Sequence, residues 1–568
     1  GLNYRLSGSI SGSGPLTLGG AIGVEFQGDA SGYTGTATGT GGTITFNPGI
    51  ATQTFAGNLA GGQPVLKSGS NTTILSGNNT YTGTTTVGAG TLVLGGSNTS
   101  STSAFTVSSG ATLRLDYGTN NNRKIGSGVL TLSGGSIELT GGSFEDGVAS
   151  TTLTAATNNT ITRTTGSAIL NLGAITINAA ARLNLAQSGI AKTSNANNAQ
   201  GVLGSWATIG GNLPAMNDGT GLIVAATTTD LTRLSSGSKV IADGASDNVR
   251  FIEGTGSAGN FTLGAATTTI NSLMQSSEGG TSAASVDLAL QTLALNSVTV
   301  GTGAGALTIG TALNNGTLKA AGTSLEFRDF SGSGITVNSI IADGTGSTLV
   351  RKFDPGTMTF SGTSSYTGGT VVDQGTLTAN LGTTAGARFP FGSGLITLNA
   401  GSTLRMFAGS TANAMTFVNP INLNGATLTA EDAVQTYTGS IALTGANTVN
   451  VSYAAKDAIF SGIVSGAGSL TKASAGLLRL SNANTYSGGT SITGGTLLAT
   501  HTDALGSSGR SVTINNAALT LASDVAVSSK NLTLANTTST NTITLDRGNQ
   551  TTTWGNFLTN TGTSAKTL

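Results

Sequence analysis

The residues that most often carry enzyme chemistry are scarce in this 568-residue chain, which has one histidine and no cysteine. The histidine, His501, has no second histidine or thiol with which to share a zinc ion, so the usual zinc ligand sets are excluded. A Ser-His-Asp triad would depend on this one side chain, and the Gly-x-Ser-x-Gly turn of many hydrolases is absent. We therefore predict that His501 is a turn residue, and that the chain is not an enzyme and has no catalytic residues, metal site or cofactor.

Carboxylates are the other candidates for catalysis, because some β-helical proteins cleave polysaccharides. The acidic candidates are Glu145, Asp146, Asp243, Asp247, Glu431 and Asp432. A glycosidase needs two carboxyl groups that converge across a sugar, whereas adjacent acids on a strand point to opposite faces. The two adjacent pairs therefore fit corners better than sites. Asp243-Gly and Asp343-Gly recur in matching contexts, which favours a turn role, with calcium binding at Asp243 and Asp247 as the minor alternative.

The overall charge excludes several classes of partner. Lysine plus arginine and aspartate plus glutamate both number 24, and charged residues make up only 8% of the chain. Without a basic excess to meet a phosphate backbone, nucleic-acid binding is not expected. No run of 18 apolar residues occurs, so no transmembrane helix is expected. The absence of cysteine favours export, and the first residues do not read as a signal peptide, so we expect a processed chain or a segment of a longer one.

The elements that would position any site are repeated along the chain. Three segments align without a gap, at residues 74–95, 359–380 and 479–500. Each contains a tyrosine followed nine residues later by a glycine and then Thr-Leu, and the tyrosines are Tyr81, Tyr366 and Tyr486. A lysine precedes each segment, so the clear copies span 67–95, 352–380 and 472–500, with a degenerate copy at 26–47. Such internal periodicity is typical of solenoid architectures.

The three lysines, Lys67, Lys352 and Lys472, occupy the same position in their copies. The simpler interpretation places each of them at a solvated corner. The alternative is a set of spaced cations that contact acidic surface glycan.

Within a copy, apolar residues alternate with polar ones at a period of two, which predicts strands. Val87, Leu92 and Leu94 would face inward, while Thr86, Thr91 and Val93 would face outward. We predict three strands per copy, around Leu75, Val87 and Leu92–Leu94, and no helix. So many short strands would overfill one sandwich or barrel. The sequence therefore predicts an all-β parallel β-helix (a β-solenoid) over 1–568, with about three short strands per turn and possible irregular or loop-bearing turns at 186–235.

Threonine tracts raise one further possibility. Threonine ladders on a flat solenoid face can order water and bind ice. Such faces carry Thr-x-Thr in nearly every turn, whereas the motif recurs irregularly along this sequence. We therefore expect no ice-binding face.

The aligned copies read Leu-Ser-Gly-x-Asn-Thr-Tyr-Thr-Gly-Gly-Thr-x-Val-x-x-Gly-Thr-Leu, which resembles the autotransporter-associated β-strand repeat. This repeat occurs in passenger domains of Gram-negative autotransporters and in large adhesin-like surface proteins. The resemblance implies a right-handed β-helical passenger that is secreted or held at the outer cell surface.

We therefore expect an extracellular structural or adhesive solenoid that forms a rod or fibre. Its expected partners are neighbouring solenoid segments or like chains joined end to end, and surface glycans or other cell surfaces. The alternative is a β-helical polysaccharide lyase or hydrolase. A groove with clustered acids and aromatic residues would favour this alternative.

Overall fold

The structure is a computed structural model. It describes residues 4–18, 23–39, 41–97, 103–154, 157–178, 181–198, 201–204, 206–234, 236–252, 259–278, 281–380, 382, 390–407, 414–507, 509–522, 525, 530–535, 541–545 and 556–560. Every regular element among these residues is a β-strand, and none of them lies in a helix. The chain divides into two compact units, residues 1–227 and 228–568, which are described separately.

The first unit consists of short strands. They are β1 Tyr4–Leu6, β2 Ser11–Gly12, β3 Leu16–Leu18, β4 Val24–Phe26, β5 Gly32–Tyr33, β6 Thr36–Gly39, β7 Ile44–Phe46, β8 Thr52–Phe55, β9 Asn58–Gly61, β10 Val65–Lys67, β11 Thr72–Leu75, β12 Thr85–Val87, β13 Thr91–Leu94, β14 Phe105–Ser108, β15 Thr112–Asp116, β16 Val129–Ser133, β17 Ser136–Thr140, β18 Glu145–Gly147, β19 Ser150–Leu153, β20 Asn158–Arg163, β21 Ile169–Asn171, β22 Ala174–Ile177, β23 Arg182–Leu185, β24 Ala191–Lys192, β25 Ala207–Ile209, β26 Leu213–Asn217 and β27 Ile223–Ala225.

The second unit continues in the same manner. Its strands are β28 Thr229–Thr232, β29 Ser238–Ile241, β30 Gly244–Ile252, β31 Gly259–Leu263, β32 Thr267–Gln275, β33 Ala284–Asp287, β34 Thr292–Leu295, β35 Ser297–Val300, β36 Leu307–Ile309, β37 Thr317–Ala320, β38 Ser324–Asp329, β39 Ile335–Val337, β40 Ile340–Ala342, β41 Leu349–Lys352, β42 Thr357–Phe360, β43 Thr370–Val372, β44 Thr376–Asn380, β45 Ile396–Leu398, β46 Thr403–Phe407, β47 Met415–Phe417, β48 Ile421–Asn424, β49 Thr427–Glu431, β50 Gln435–Tyr437, β51 Ile441–Thr444, β52 Ala446–Val451, β53 Asp457–Phe460, β54 Val464–Gly466, β55 Ser469–Ala473, β56 Leu477–Leu480, β57 Thr490–Ile492, β58 Thr496–Ala499, β59 Ser511–Ile514, β60 Ala518–Leu521, β61 Asn531–Leu534, β62 Thr542–Leu545 and β63 Asn556–Asn560.

Each unit winds as a parallel solenoid, in which a strand pairs with the strand on the same side of the next turn. In the first unit one side is the sheet β1-β4-β7-β10-β12-β14-β16-β19-β22, and a second side runs from β8 through β11, β13, β15, β17, β20 and β23 to β25. Shorter sheets such as β3-β6-β9 and β18-β21-β24 form the third side. Together the two units contain about 21 turns. This confirms the predicted all-β parallel solenoid, while its right-handed winding stays a prediction.

One side of the second unit is a sheet of fifteen strands, which we call the long face. Its order is β29-β31-β33-β36-β39-β42-β44-β46-β49-β52-β55-β57-β59-β61-β63. The other sides are formed by a fourteen-stranded sheet that includes β41, β43 and β54, and by the seven-stranded sheet β47-β50-β53-β56-β58-β60-β62.

The sequence suggested that the three strands of one repeat copy complete one turn, but they do not. The strand that ends at Leu75 pairs with the strand that ends at Leu94, so these two lie on the same side in successive turns. A turn through the copy therefore has two strands, β12 and β13, and the segment around Tyr81 forms its third side. The period-two pattern marks strands but does not show which of them stack, because that depends on the corners between them.

The cores of both units consist of stacked aliphatic and aromatic side chains, as expected from the alternation. Val87 and Leu92 are fully buried and Leu94 is 2% exposed. Val93, predicted to face outward, is only 4% exposed. It lies in the outer row between Ile74 and Arg114, because the paired strands align these three residues.

The parallel arrangement is interrupted near the end of the first unit. Strand β26 pairs antiparallel with both β25 and β27, between residues 207 and 225. This hairpin arrangement lies within the region of residues 186–235, where the sequence alternation is weakest.

Candidate functional site

The repeated turn is built around a buried tyrosine. Tyr81, Tyr366 and Tyr486 are completely buried. Each hydroxyl lies within hydrogen-bond distance of the threonine hydroxyl four residues later, and the pairs are Tyr81–Thr85 at 2.6 Å, Tyr366–Thr370 at 2.6 Å and Tyr486–Thr490 at 2.7 Å. Burial raises the pKa of Tyr81 to about 12. The tyrosine hydroxyl therefore stays neutral, and it ties the turn to the start of the next strand.

The tyrosine segment stacks on the last strand of a sheet. The amides of Thr80 and Thr82 donate to carbonyls of β9, the final strand of the sheet β3-β6-β9. In the other copies, Ser365 donates to Ile341 of β40, and Thr485 donates to Val464 of β54. Both of these strands also lie at the end of their sheets. A sheet on one side of the solenoid therefore ends at the tyrosine turn, where an irregular segment takes the place of a strand.

The repeated lysines are buried, so the prediction of a solvated corner was wrong. Lys67 and Lys472 are fully buried and Lys352 is 3% exposed. The Nζ of Lys67 donates to the carbonyl oxygens of Ser68 at 2.7 Å, Gly69 at 2.7 Å and Ala89 at 3.1 Å. Contact with acidic glycan, the alternative interpretation, is also wrong, because the ammonium group faces the protein interior.

The other two copies repeat this arrangement. Lys472 donates to Ala473 at 2.8 Å, Ser474 at 2.7 Å and Gly494 at 3.0 Å. Lys352 donates to the carbonyls of Asp354 and Gln374. Each ammonium therefore joins corner carbonyls of two successive turns. Burial lowers the pKa of Lys67 and of Lys472 to about 8.

The glycine nine residues after each tyrosine lies at a corner that other residues would strain. Gly90, Gly375 and Gly495 have φ angles of +64°, +67° and +60°. A Cβ atom on Gly375 would lie 2.3 Å from the carbonyl oxygen of Pro355 in the preceding turn. Glycine is required there both for the left-handed backbone and for the close approach of two turns.

Sequence reasoning missed two further parts of this site. The partner threonines Thr85, Thr370 and Thr490 could have been found, because they lie at the same position in all three aligned copies. Lys124 also holds corner carbonyls, those of Gly95 and Gly96 at 2.9 Å each, and it is fully buried. It lies outside the aligned copies, so no repeated spacing marks it.

The acidic candidates have separate roles and do not form one site. Glu145 and Asp146 lie on strand β18, so the prediction of a corner was wrong for this pair. They point to opposite sides of the strand, with Glu145 exposed and bound to Lys192 at 2.7 Å. Asp146 is buried and accepts hydrogen bonds from the amides of Lys124 at 2.6 Å and Ile125 at 3.1 Å. Burial raises the pKa of Asp146. Its role is to fix the local backbone.

Of the remaining candidates, Asp243 and Asp432 lie at corners, while Asp247 lies within strand β30 and Glu431 ends strand β49. Asp243 accepts from the amide of Thr269 at 2.7 Å, and Asp343 accepts from the amides of Thr348 and Thr367, which confirms their turn role. Asp432 has a φ angle of +70° at a corner. His501 is exposed and accepts from the amide of Asp503 at 3.1 Å, which confirms a turn residue.

Glu431, the residue before Asp432, forms an ion pair with Arg405, in which the Nη2 and Oε2 atoms lie 2.6 Å apart. In the part of the chain that the structure describes, no three histidine or acidic side chains, those of Asp243 and Asp247 included, lie close enough to hold a metal ion. No helix among the described residues is long and apolar enough to cross a membrane.

Comparison with known families and proteins gives two matches. The passenger-associated-transport-repeat model matches residues 65–94, 87–115, 350–379 and 470–499. Adhesin BmaC autotransporter of Brucella suis biovar 1 (strain 1330) is 31% identical over 214 residues, which cover 37% of this chain and 6% of that adhesin. No solved structure matches the chain. The chain thus carries the repeat that its sequence indicated, together with a fourth copy, at 87–115, that the alignment of tyrosines had missed.

Proposed function

We propose that this chain, which carries passenger-associated transport repeats, forms part of a structural and adhesive rod on the surface of a Gram-negative bacterium. The chain is a β-solenoid of the autotransporter-passenger type and is distantly related to an adhesin. The repeat implies secretion or surface display. The rod itself, its adhesive role and its attachment at the outer surface are the proposal.

One observation carries the proposal, namely the stacking of core side chains from turn to turn within the second unit. On the inner side of the long face, Met358, Leu377, Leu404 and Leu428 pair in register and are each at most 2% exposed. Because each turn buries its apolar residues only against its neighbours, adding turns extends the solenoid without changing its cross-section. Stiffness along the solenoid axis is what a surface rod needs.

The outer sides of the described strands offer an extended polar contact surface. Outward positions carry mainly threonine, serine and asparagine, with a few paired charges such as Arg114 with Glu138 at 2.9 Å. Such a surface suits many weak contacts spread along its length. We therefore propose as partners the neighbouring segments or like chains joined end to end, and glycans or other cell surfaces.

The test is to locate the chain on living cells and to measure adhesion. Antibodies against the purified chain should label intact cells of the source bacterium, and external protease should remove the label. Cells that lack the gene, which are the control, should show no label and should adhere less to host cells and immobilised glycans. Labelling only after permeabilisation, or unchanged adhesion, would refute the proposal. Polysaccharide cleavage by the purified chain would favour the enzyme alternative instead.

A further inference from the structure

The outer side of the long face carries an ordered row of hydroxyl groups. Strand pairing aligns the members of this first row directly opposite one another, from β42 to β61. They are Thr357, Thr376, Thr403, Thr427, Thr448, Thr471, Ser491, Thr513 and Thr533. Nine successive strands thus present a hydroxyl at the same position.

A second row lies beside the first, two residues further along the strands. Its members are Ser285, Thr308, Thr336, Thr359, Thr378, Arg405 and Thr429. Three strands, β42, β44 and β49, therefore carry Thr-x-Thr on the outer side. The Thr-x-Thr motif itself stays irregular, as the sequence indicated, but stacking of the turns aligns the single hydroxyls of the first row, which the sequence alone does not show.

The spacing of this array is set by the backbone. Neighbouring strands lie about 4.8 Å apart, and alternate residues along a strand about 6.6 Å apart. Threonine is stiff at χ1, so each hydroxyl and methyl group is held in a narrow range of positions. The result is a regular array of hydroxyl groups, which is uncharged along the whole first row and is interrupted in the second row by Arg405, paired with Glu431.

The hydroxyls of the first row remain available to a ligand over most of its length. From Thr357 to Thr471, no hydroxyl of the first row makes a side-chain hydrogen bond within the described part of the chain. In the second row Thr378 is only 4% exposed and Thr429 accepts a hydrogen bond from the Nδ2 atom of Asn450 at 3.4 Å, so the first row is the part of the face that a ligand can reach.

The geometry points to a periodic ligand, and we propose that the long face binds ice. A site for a single sugar needs polar groups that converge on one place, whereas these groups diverge evenly along the sheet. A protein partner would need aromatic or arginine anchors, which the first row lacks. The exposed planes of hexagonal ice present water oxygens in rows whose spacings are similar to those of the threonines. Hydroxyls can join such a lattice while methyl groups fill the spaces between its waters.

The test compares two matched double variants of the full chain. Thr403→Tyr with Thr427→Tyr places bulky rings in the first row. Thr416→Tyr with Thr436→Tyr makes the same change on the outer side of β47 and β50, where the row continues with Ile459 and is not a threonine lattice. Circular dichroism and thermal unfolding show whether each variant folds. If the first double variant fails to fold, the single variant Thr427→Tyr replaces it.

The measurement is the fraction of protein taken into slowly growing ice, together with the shape of single ice crystals. The wild-type chain and the control variant should enter ice and facet the crystals, while the first-row variant should stay in the liquid. Exclusion of the wild-type chain from ice, or equal uptake of the first-row variant, would overturn the proposal. Exclusion from ice combined with retention on crystalline cellulose would overturn it as well, by assigning the rows to a polysaccharide lattice.

Discussion

The buried lysines show how single residues hold the corners of this solenoid. A corner turns carbonyl groups towards the interior, where each needs a donor. At Lys472 one ammonium group supplies three hydrogen bonds, to Ala473, Ser474 and Gly494. Since these carbonyls belong to two successive turns, the lysine acts as a connection between turns as well as a donor.

The position of these lysines could have been predicted in part. Along β10, Val65 and Lys67 share one parity and both are buried, while Leu66 between them is partly exposed. Strict use of the period-two pattern therefore places Lys67 inside. The general rule that charges lie outside opposes this placement. The backbone carbonyls that bind the buried ammonium group belong partly to another turn, so they cannot be identified before the turns are stacked.

Removing one such lysine should loosen its corner. Lys472→Met keeps most of the buried volume but leaves three carbonyls without their donor. We expect the free energy of local opening to fall by roughly 1–3 kcal/mol. Hydrogen exchange of the amides between 473 and 494 measures this change.

The matched control is Lys319→Met, because Lys319 lies at an outward position of β37. It should leave exchange unchanged. Equal exchange in wild type and in Lys472→Met would contradict the role given to the ammonium group.

The strands are the scale at which sequence reasoning worked best. Alternation identified the strands around Val87 and Leu92 and the inward side of each, because the same parity recurs in every turn. The alternation does not show which strands stack on each other in successive turns. The members of the first row are 27 residues apart between Thr376 and Thr403 but 21 apart between Thr427 and Thr448. Corner length thus varies from turn to turn and conceals the row.

Stacking in a strand ladder should be sensitive to a charge on its inner side. Leu92 is fully buried and pairs with Thr73 below and Leu113 above. Leu92→Asp would bury an unpaired carboxylate, at a cost of several kcal/mol. We expect new protease cleavage and faster hydrogen exchange in the turns from 73 to 113.

Thr91→Asp is the control for this change, since Thr91 lies next to Leu92 on the outward side. Its proteolysis pattern should match the wild type. Unchanged proteolysis and unchanged thermal unfolding in Leu92→Asp would show that the inward and outward sides have been assigned incorrectly.

At the scale of the whole molecule, stability is distributed over many similar turns. In such proteins it approximates a sum of contributions from each turn and its neighbours. The effects of buried groups that recur in several turns therefore add up in the free energy of unfolding. Lys67, Lys472 and Tyr81 are of this kind, and all three titrate in the alkaline range.

Their pKa shifts predict how stability depends on pH. Lys67 and Lys472 have pKa values of about 8 in the folded chain, below the usual value, so between about pH 8 and 10 the unfolded chain binds more protons. Stability should therefore rise over this range. Burial raises the pKa of Tyr81 to about 12, so above pH 10 the folded chain binds more protons and stability should fall.

Urea unfolding at a series of pH values measures this profile, which should have a maximum near pH 10. The Lys472→Met variant should show a smaller rise, and Tyr81→Phe a smaller fall. A stability that decreases steadily from pH 8 upward would contradict the direction of the lysine shifts.

The partners of the buried ammonium groups also determine how their contribution to stability depends on ionic strength. Their partners are carbonyl dipoles inside the protein, and only 8% of all residues are charged. Dissolved ions screen exposed charges at a distance but do not reach dipoles packed around a buried group. The contribution of these lysines to stability should therefore stay nearly the same in dilute fresh water and in brine.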